Sequence, residues 1–426
     1  MLIIYCPHIT SRLRYIVSTL LGNHVLILED KESYLHNPSE KINYSPERVT
    51  ENEVWVKPHG LLSETDIRPQ DIDCFEWNGV KVFFKTAGDI PFDFLAASFY
   101  LLSRYEEYLP HTLDMYGRYA HENSIAYKED FLRLPLANLW VKELGKLFPN
   151  STFPFSTIGF LPTYDIDIAY CYKERAVAKQ VFGFFRDFLK GNIDKVAERA
   201  NVYSGMKKDP FDIYDWMNEL HRKYQLKAAY FFLVAQERKG YDKNISPTSK
   251  AMQQLMKRHA ALYTIGVHPS WQSGDDETLL SQEKNIVEKA TKAVITRSRH
   301  HYIRIKLPET YRLLLSNGIK HDYSMGYGSI NGFRASYTLP FHWYDLEKEE
   351  ETGLTIHPFC YMEANSYFEQ KETPSQAEEE LQQYYEVVKS VNGQLITIFH
   401  NHFLTEQPAW LSWRRMYEHF LQRNFS

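Results

Sequence analysis

Residues 158–167 read IGFLPTYDID and carry the clearest structural signal in the chain. The apolar stretch Ile158–Pro162 is typical of a buried β-strand, and the carboxylates of Asp165 and Asp167 follow it. In β/α proteins the reactive groups lie at the carboxyl ends of the strands. This stretch therefore predicts a strand of a parallel sheet and one edge of a functional site.

The same pattern continues to the C-terminus, where short apolar runs alternate with amphipathic helices. Such alternation is typical of parallel β/α units. About 270 residues of it predict a closed or nearly closed (β/α) barrel, with an open doubly wound sheet as the alternative. The expected strands are Ile158–Pro162, Ala228–Val234, Tyr263–Val267, Leu354–Phe359 and Leu395–Phe399.

Helix-start and helix-stop residues separate these strands. Asp212 is expected to open one helix, and Pro308 opens another that ends at Gly318. Ser375 and Glu378 have the spacing of a capping box, which predicts the start of a third helix.

The N-terminal region predicts a smaller mixed α/β domain. The apolar runs Leu2–Cys6 and Val25–Leu28 flank a helix that starts near Thr10, and Asn78-Gly79 predicts a hairpin turn. The stretch 148–154 contains prolines and small polar residues, so we expect the boundary there, with domains at 1–152 and 153–426. No motif in the first domain indicates chemistry.

Composition excludes several classes of protein. The formal net charge of −5 offers no basic field for nucleic acid, and a hydrophobic fraction of 44% excludes disorder as the main state. The longest clean apolar run, Ala228–Ala235, is far shorter than the roughly 20 residues of a transmembrane helix. Residues 1–6 lack the basic lead of a signal peptide, so we expect a cytoplasmic protein, with peripheral attachment to the inner membrane face as the alternative.

Polar side chains follow three of the expected strands. Asp165 and Asp167 follow the first, His268 follows Tyr263–Val267, and His400 and His402 follow the last. Because the carboxyl ends of parallel strands meet at one edge of a sheet, we expect carboxylates and imidazoles to converge there.

These three elements, in this order, resemble the motifs of the polysaccharide deacetylases, the NodB-homology carbohydrate esterases. Thr163-Tyr164-Asp165-Ile166-Asp167 is similar to the first motif and implies that Asp165 is the general base and Asp167 a metal ligand. Gly266-Val267-His268-Pro269-Ser270 resembles the second motif, H-[S/T]-x-x-H, and implies that His268 binds the metal. Ile396-Thr397-Ile398-Phe399-His400 resembles the last motif and implies that His400 is the general acid.

The resemblance has one departure and two open assignments. The fifth position of the second motif, normally a metal histidine, is Gln272. His301 or His402 is therefore expected to supply the third ligand, with the carbonyl oxygen of Gln272 as a weaker candidate. The family also has an arginine that orients the catalytic acid, for which Arg299 is the first choice and Arg334 the rival.

The resemblance covers about residues 155–405 and implies a distorted (β/α) barrel of polysaccharide-deacetylase type. It implies a metal-dependent hydrolase of non-peptide C–N bonds that removes acetyl groups, as amide or ester, from a carbohydrate. The expected cofactor is a divalent metal, zinc first. Trp271, Tyr302, Arg334 and His402 are expected to contact the sugar. The N-terminal half is similar to the extra domain of a divergent bacterial branch of the family.

Two other functions remain open. Gln272 in place of a metal histidine also fits a catalytically inactive deacetylase-like protein that binds glycans or a protein partner. Glycoside hydrolysis by Asp165 and Asp167 is disfavoured, because two carboxylates on one strand end do not flank a glycosidic bond at the required separation of roughly 5–9.5 Å.

Overall fold

The fold is described from a computed structural model, which describes residues 2–151, 153–154, 158–174 and 193–426. Thr152, the last residue of the expected N-terminal domain, lies outside the described residues. Within the described ranges, no helix is both long enough and apolar enough to cross a membrane.

The N-terminal part begins with a small parallel sheet. Its strands are β1 (Leu2–Tyr5), β2 (Leu26–Leu28), β3 (Glu40–Asn43) and β4 (Val54–Trp55). The strand order is β2-β1-β3-β4, and every pairing is parallel. Helix α1 (Ser11–Leu21) begins after Thr10, whose side chain accepts a hydrogen bond from the backbone N–H of Leu13.

The predicted hairpin is confirmed. Strands β5 (Phe75–Trp77) and β6 (Val80–Val82) pair antiparallel. The turn residues Asn78 and Gly79 have φ values of 51° and 74°, which is the left-handed region that an Asn-Gly hairpin turn requires.

The C-terminal part is built on a nine-stranded sheet. Its strands are β7 (Gly159–Ile166), β8 (Ala229–Leu233), β9 (Thr264–His268), β10 (Arg297–Ser298), β11 (His321–Asp322), β12 (Phe341–Asp345), β13 (Glu350–Ile356), β14 (Tyr361–Met362) and β15 (Gln394–His400). The order is β12-β13-β11-β10-β9-β8-β7-β15-β14. Only β12 and β13 pair antiparallel among these strands.

Helices α6 to α11 lie between strands of the nine-stranded sheet, α2 to α5 belong to the N-terminal part, and α12 follows β15. Their bounds are α2 (Lys31–His36), α3 (Phe94–Leu102), α4 (Ile125–Lys128), α5 (Leu136–Gly145), α6 (Ile193–Tyr203), α7 (Tyr214–Lys223), α8 (Lys250–Ala260), α9 (Glu277–Thr291), α10 (Glu309–Ser316), α11 (Pro374–Ser390) and α12 (Leu411–Phe425). The architecture is α/β with parallel-rich sheets, as predicted. Strand pairing runs from β12 at one edge to β14 at the other, and closure into a barrel stays a prediction.

Three expected element boundaries are wrong. Strand β7 continues past Pro162 to Ile166, because its ladder with β15 and β8 continues over those residues. Strand β13 begins at Glu350, where it pairs with Asp345 of β12. The capping box of α11 is formed by Thr373 and Gln376, two residues before the expected pair Ser375 and Glu378.

The N-terminal and C-terminal parts share a hydrophobic core. The ring of Tyr344 from β12 packs 4.9 Å from Tyr15 of α1 and 5.2 Å from Phe99 of α3, between centroids. A buried ion pair also joins the two parts, because Arg334 Nη2 lies 2.6 Å from Glu107 Oε2. The two parts are therefore packed against each other through apolar and ionic contacts.

Candidate active site

The carboxyl ends of the central strands meet at a cavity of about 630 Å³. Strands β7, β9 and β15 and the segment after β10 each bring polar side chains to it. The predicted site residues that line it are Asp165, Asp167, His268, His301, Tyr302, His400 and His402. The parallel topology thus gathers side chains that are up to 237 positions apart in the chain.

Asp165 and Arg299 form a buried ion pair beside this cavity. Arg299 Nη1 donates to Asp165 Oδ1 at 2.9 Å, and the two side chains are 0% and 2% exposed. Arg299 Nε donates to the carbonyl oxygen of Tyr323, and the guanidinium lies over the ring of Phe231. These contacts fix the arginine, which in turn fixes the orientation of the carboxylate.

Asp167, His268 and His301 form a compact cluster in which one ligand atom from each lies within 4.8 Å of the others. Asp167 Oδ1 is 3.1 Å from His268 Nε2, and Asp167 Oδ2 is 3.5 Å from His301 Nε2. Asp167 Oδ1 and His268 Nε2 are buried and face each other, and neither atom has a hydrogen-bond partner elsewhere among the described residues. Buried polar atoms left without a partner mark a place for a ligand, and one carboxylate with two imidazoles suits a divalent transition-metal ion.

The outer nitrogen of each histidine in the cluster is held by a hydrogen bond. His268 Nδ1 bonds to the carbonyl oxygen of Arg299, and His301 Nδ1 lies 2.8 Å from Asp242 Oδ1. Such contacts fix the ring orientation of metal-binding histidines. Asp242 also accepts from the side-chain amide of Gln272 at 3.2 Å. Gln272 therefore contacts the carboxylate behind His301 instead of joining the cluster.

Charges around the cluster shift its pKa values strongly. Burial raises the pKa of Asp167, but His301 and His400 outweigh it and hold that pKa well below its usual range. Burial lowers the pKa of His301, but Asp167 and Asp242 outweigh it and raise that pKa to about 9. The imidazole of His301 must lose its proton before it can bind a metal.

His400 approaches the same carboxylate oxygen of Asp167 as His301 does. Its Nε2 is 3.4 Å from Asp167 Oδ2, and its Nδ1 is 2.8 Å from Oε1 of the fully buried Glu363. Burial lowers the pKa of His400, but Glu363 and Asp167 outweigh it and raise that pKa to about 10. The imidazolium form of His400 is therefore favoured at neutral pH. Burial instead lowers the pKa of His402 to about 3, so its ring is neutral.

Two expected substrate contacts lie elsewhere. Trp271 does not line the cavity, and its ring packs against the guanidinium of Arg304. Arg334 is 1% exposed and is held in the ion pair with Glu107. Because that pair uses its charge, Arg334 serves neither as the arginine beside Asp165 nor as a sugar contact in this structure.

The structure adds four residues that the sequence patterns do not single out. Asp242 and Glu363 hold the imidazoles of His301 and His400. Tyr116 and Arg118, from the N-terminal part, line the cavity. The only available signal was that Glu363 follows a short apolar run; nothing local distinguishes the other three.

Comparison with known proteins gives limited matches. A family of unknown function (DUF7033) matches residues 2–153, and no curated protein matches the chain. A protein from Mycobacterium smegmatis described as a polysaccharide deacetylase has a similar structure, with 12% identity, a TM-score of 0.40, and coverage of 64% of this chain and 87% of that one. A polysaccharide deacetylase from Bacillus cereus has 9% identity and a TM-score of 0.32, with coverage of 63% of this chain and 88% of that one. A CE4 family pseudoenzyme from Bacillus anthracis has 10% identity and a TM-score of 0.31, with coverage of 64% of this chain and 63% of that one.

Proposed function

We propose that this chain is a metal-dependent hydrolase that removes acetyl groups, as amide or ester, from a carbohydrate. One observation carries the proposal. The Asp167, His268 and His301 cluster lies between a carboxylate held by an arginine and an imidazolium held by a carboxylate. Hydrolysis of an acetamide needs a proton acceptor, a proton donor and a group that polarises the carbonyl, and this arrangement can supply all three.

Asp167, His268 and His301 would hold the cation. When bound, a divalent ion supplies a Lewis acid that lowers the pKa of water and polarises a carbonyl group. Zinc is the first choice, because it binds imidazole and carboxylate ligands in catalytic sites with an open position.

Asp165 is assigned as the general base. Its Oδ2 lies 3.8 Å from His268 Nε2, so the carboxylate faces the cluster, and Arg299 holds the other oxygen. In that position Asp165 accepts a proton from the attacking water as the new bond to the acetyl carbon forms.

His400 is assigned as the general acid. The carboxylate of Glu363 keeps the ring protonated and directs Nε2 towards the cluster. The bond between the acetyl carbon and the sugar nitrogen or oxygen then breaks, and that atom takes the proton from His400 Nε2. The products are acetate and the deacetylated sugar.

A wall of aromatic rings supports a saccharide as the substrate. Tyr116, Tyr241 and Tyr302 line the cavity, and their ring centroids lie 4.8 to 5.6 Å apart. Tyr rings offer a flat apolar face and a hydroxyl group, which suits the faces and edges of a sugar ring. The cavity volume also falls within the range of about 300–1,000 Å³ that is usual for small-molecule sites.

The test combines metal analysis with acetate release from N- and O-acetylated saccharides. We expect roughly one cation per wild-type chain, loss of the cation in His268→Ala, and loss of acetate release but not of the cation in Asp165→Asn. Asp71→Asn, an exposed change of the same type, serves as the control. Full acetate release by Asp165→Asn would overturn the base assignment. A cation without turnover on any substrate would instead favour an inactive protein that binds glycans.

A further inference from the structure

A short hairpin of the N-terminal part reaches into the candidate active site. Leu113 and Tyr119 form an isolated antiparallel bridge, and the turn between them is held by Asp114. Asp114 Oδ1 accepts from the backbone N–H groups of Tyr116 and Arg118 at 2.9 and 3.0 Å. The turn therefore presents the side chains of Tyr116 and Arg118 to the cavity.

Arg118 is fixed on both sides of its guanidinium. Its Nε donates to Asp114 Oδ2 at 2.6 Å, and its Nη1 donates to the carbonyl oxygen of Tyr302 at 2.9 Å. The side chain is 5% exposed and lies over the ring of Tyr116. A buried, paired arginine of this kind holds its hydrogen-bond partners in fixed positions, because the donors of its planar guanidinium are already oriented.

The carbonyl that Arg118 holds belongs to a strained segment. Tyr302 and Ile303 have φ values of 59° and 55°, in the left-handed region. That conformation is unfavourable for residues other than glycine, above all for a β-branched side chain such as isoleucine. Strained residues of this kind persist only where surrounding contacts hold them. His301, the third residue of the metal cluster, directly precedes this segment.

The packing leaves no room for another arrangement at this contact. A Cβ atom added at Gly328 would collide with the guanidinium of Arg118 and lie 2.9 Å from the carbonyl oxygen of Tyr302. Only glycine at position 328 allows the arginine to approach that carbonyl. The contact is thus built from three separate stretches of the chain.

We propose that Arg118 is a positioning residue for the metal centre, which the N-terminal part therefore completes. By holding the carbonyl of Tyr302, Arg118 maintains the left-handed segment that presents His301 to Asp167 and His268. This inference rests on the cation site of the proposed function. It assigns a role to the N-terminal part, for which the sequence offers none.

The test measures the cation site directly, without an activity assay. The zinc affinity of the full chain is determined by competition with a chromophoric chelator, and the coordination by the visible spectrum of the cobalt-loaded protein. We expect Arg118→Met and Gly328→Ala each to weaken zinc binding about 10- to 100-fold and to change the cobalt spectrum. Arg118→Lys, which keeps one charged donor, should recover part of the affinity.

Arg48→Met is the matched control, because Arg48 forms an exposed ion pair with Asp89 in the same part of the chain. Thermal unfolding of the cation-free proteins separates a loss of folding from a loss of the site. Wild-type affinity and spectrum in Arg118→Met would overturn this inference alone. A wild-type chain that binds no zinc would overturn the cation site as well. If Arg118→Met does not fold, Gly328→Ala with wild-type zinc affinity still overturns the inference.

Discussion

Glu363 sets the protonation state of His400. It is fully buried, its Oε1 lies 2.8 Å from His400 Nδ1, and the same oxygen accepts a hydrogen bond from the backbone N–H of His400. Replacing the carboxylate by an amide removes the charge that favours the imidazolium and leaves the shape unchanged. We therefore expect Glu363→Gln to lower kcat for acetate release by roughly 10- to 100-fold, below the ~10²–10⁴-fold range for removing a general acid outright.

Zinc content and initial rates on an acetylated saccharide check this prediction. The zinc content of Glu363→Gln should equal that of wild type, since Glu363 does not belong to the cluster. Glu219→Gln, an exposed change of the same type, should match wild type in both measurements. An unchanged kcat in Glu363→Gln would contradict the role of Glu363.

The sequence predicts some residues of the site well and others not at all. Asp165, His268 and His400 could be predicted because each follows an apolar run in the sequence, and the carboxyl ends of parallel strands meet at one edge. Asp242 and Arg118 could not, because their roles depend on contacts with His301 and Tyr302 across long loops. No local pattern distinguishes a carboxylate that holds a histidine from one in an ordinary turn.

At the level of elements, β7 shows where local patterns fail. The apolar run predicts a strand that ends at Pro162, a residue without a backbone N–H. The ladder nevertheless continues and pairs Asp165 with His400 on one side and with Phe231 on the other. Asp165 therefore lies within the sheet, not in a loop after it. The neighbouring strands decide this outcome, so the expected boundary missed it.

Helix α8 places a titratable group in the apolar layer between helix and sheet. His259 is 1% exposed, and its ring lies 4.5 Å from Tyr230 and 5.6 Å from Phe232 of β8, between centroids. The side chains of Tyr214 and Tyr263 also face the ring. Burial lowers the pKa of His259 to about 4, with a smaller effect from Arg258. The neutral ring is therefore the form that the folded state accepts.

The lowered pKa of His259 predicts that the folded state loses stability in acid. Between pH 6.5 and about 4 the unfolded chain binds a proton at His259 that the folded chain does not, so the free energy of unfolding falls as pH falls. His259→Phe removes this contribution and should reduce the slope by up to about 1.4 kcal/mol per pH unit. Urea unfolding at several pH values across this range measures the slope. His419→Gln, an exposed change, should keep the wild-type slope, and an equal slope in His259→Phe would contradict the assignment.

At the scale of the whole molecule, the two parts predicted from the sequence form one packed body. The prolines and small polar residues at 148–154 predict a domain boundary near residue 152, and this prediction rests on local signals only. The contacts of Tyr344 with Tyr15 and Phe99 join residues more than 200 positions apart. Such pairings carry no signature in a single sequence, because each ring alone is an ordinary core residue. The hydrogen bond from Arg118 of the N-terminal part to the carbonyl oxygen of Tyr302 depends on this packing.

Breaking the buried ion pair of Glu107 with Arg334 tests how far the packing of the two parts stabilises the fold. Burial raises the pKa of Glu107, but Arg334 and Arg104 outweigh it and lower that pKa to about 2. Removing one member of a buried ion pair leaves the other charge without compensation. We therefore expect Glu107→Gln to lower the free energy of unfolding by about 3–5 kcal/mol.

Calorimetry of the full chain measures this effect. Because the pair joins both parts, the wild type should unfold in one transition and Glu107→Gln in one transition at a lower temperature. Arg48→Met, which breaks an exposed pair, should change stability by less than about 1 kcal/mol. Two separate transitions in wild type, with only the first altered by Glu107→Gln, would mean that the parts unfold independently. In that case the contact between Arg118 and Tyr302 would not depend on a shared core.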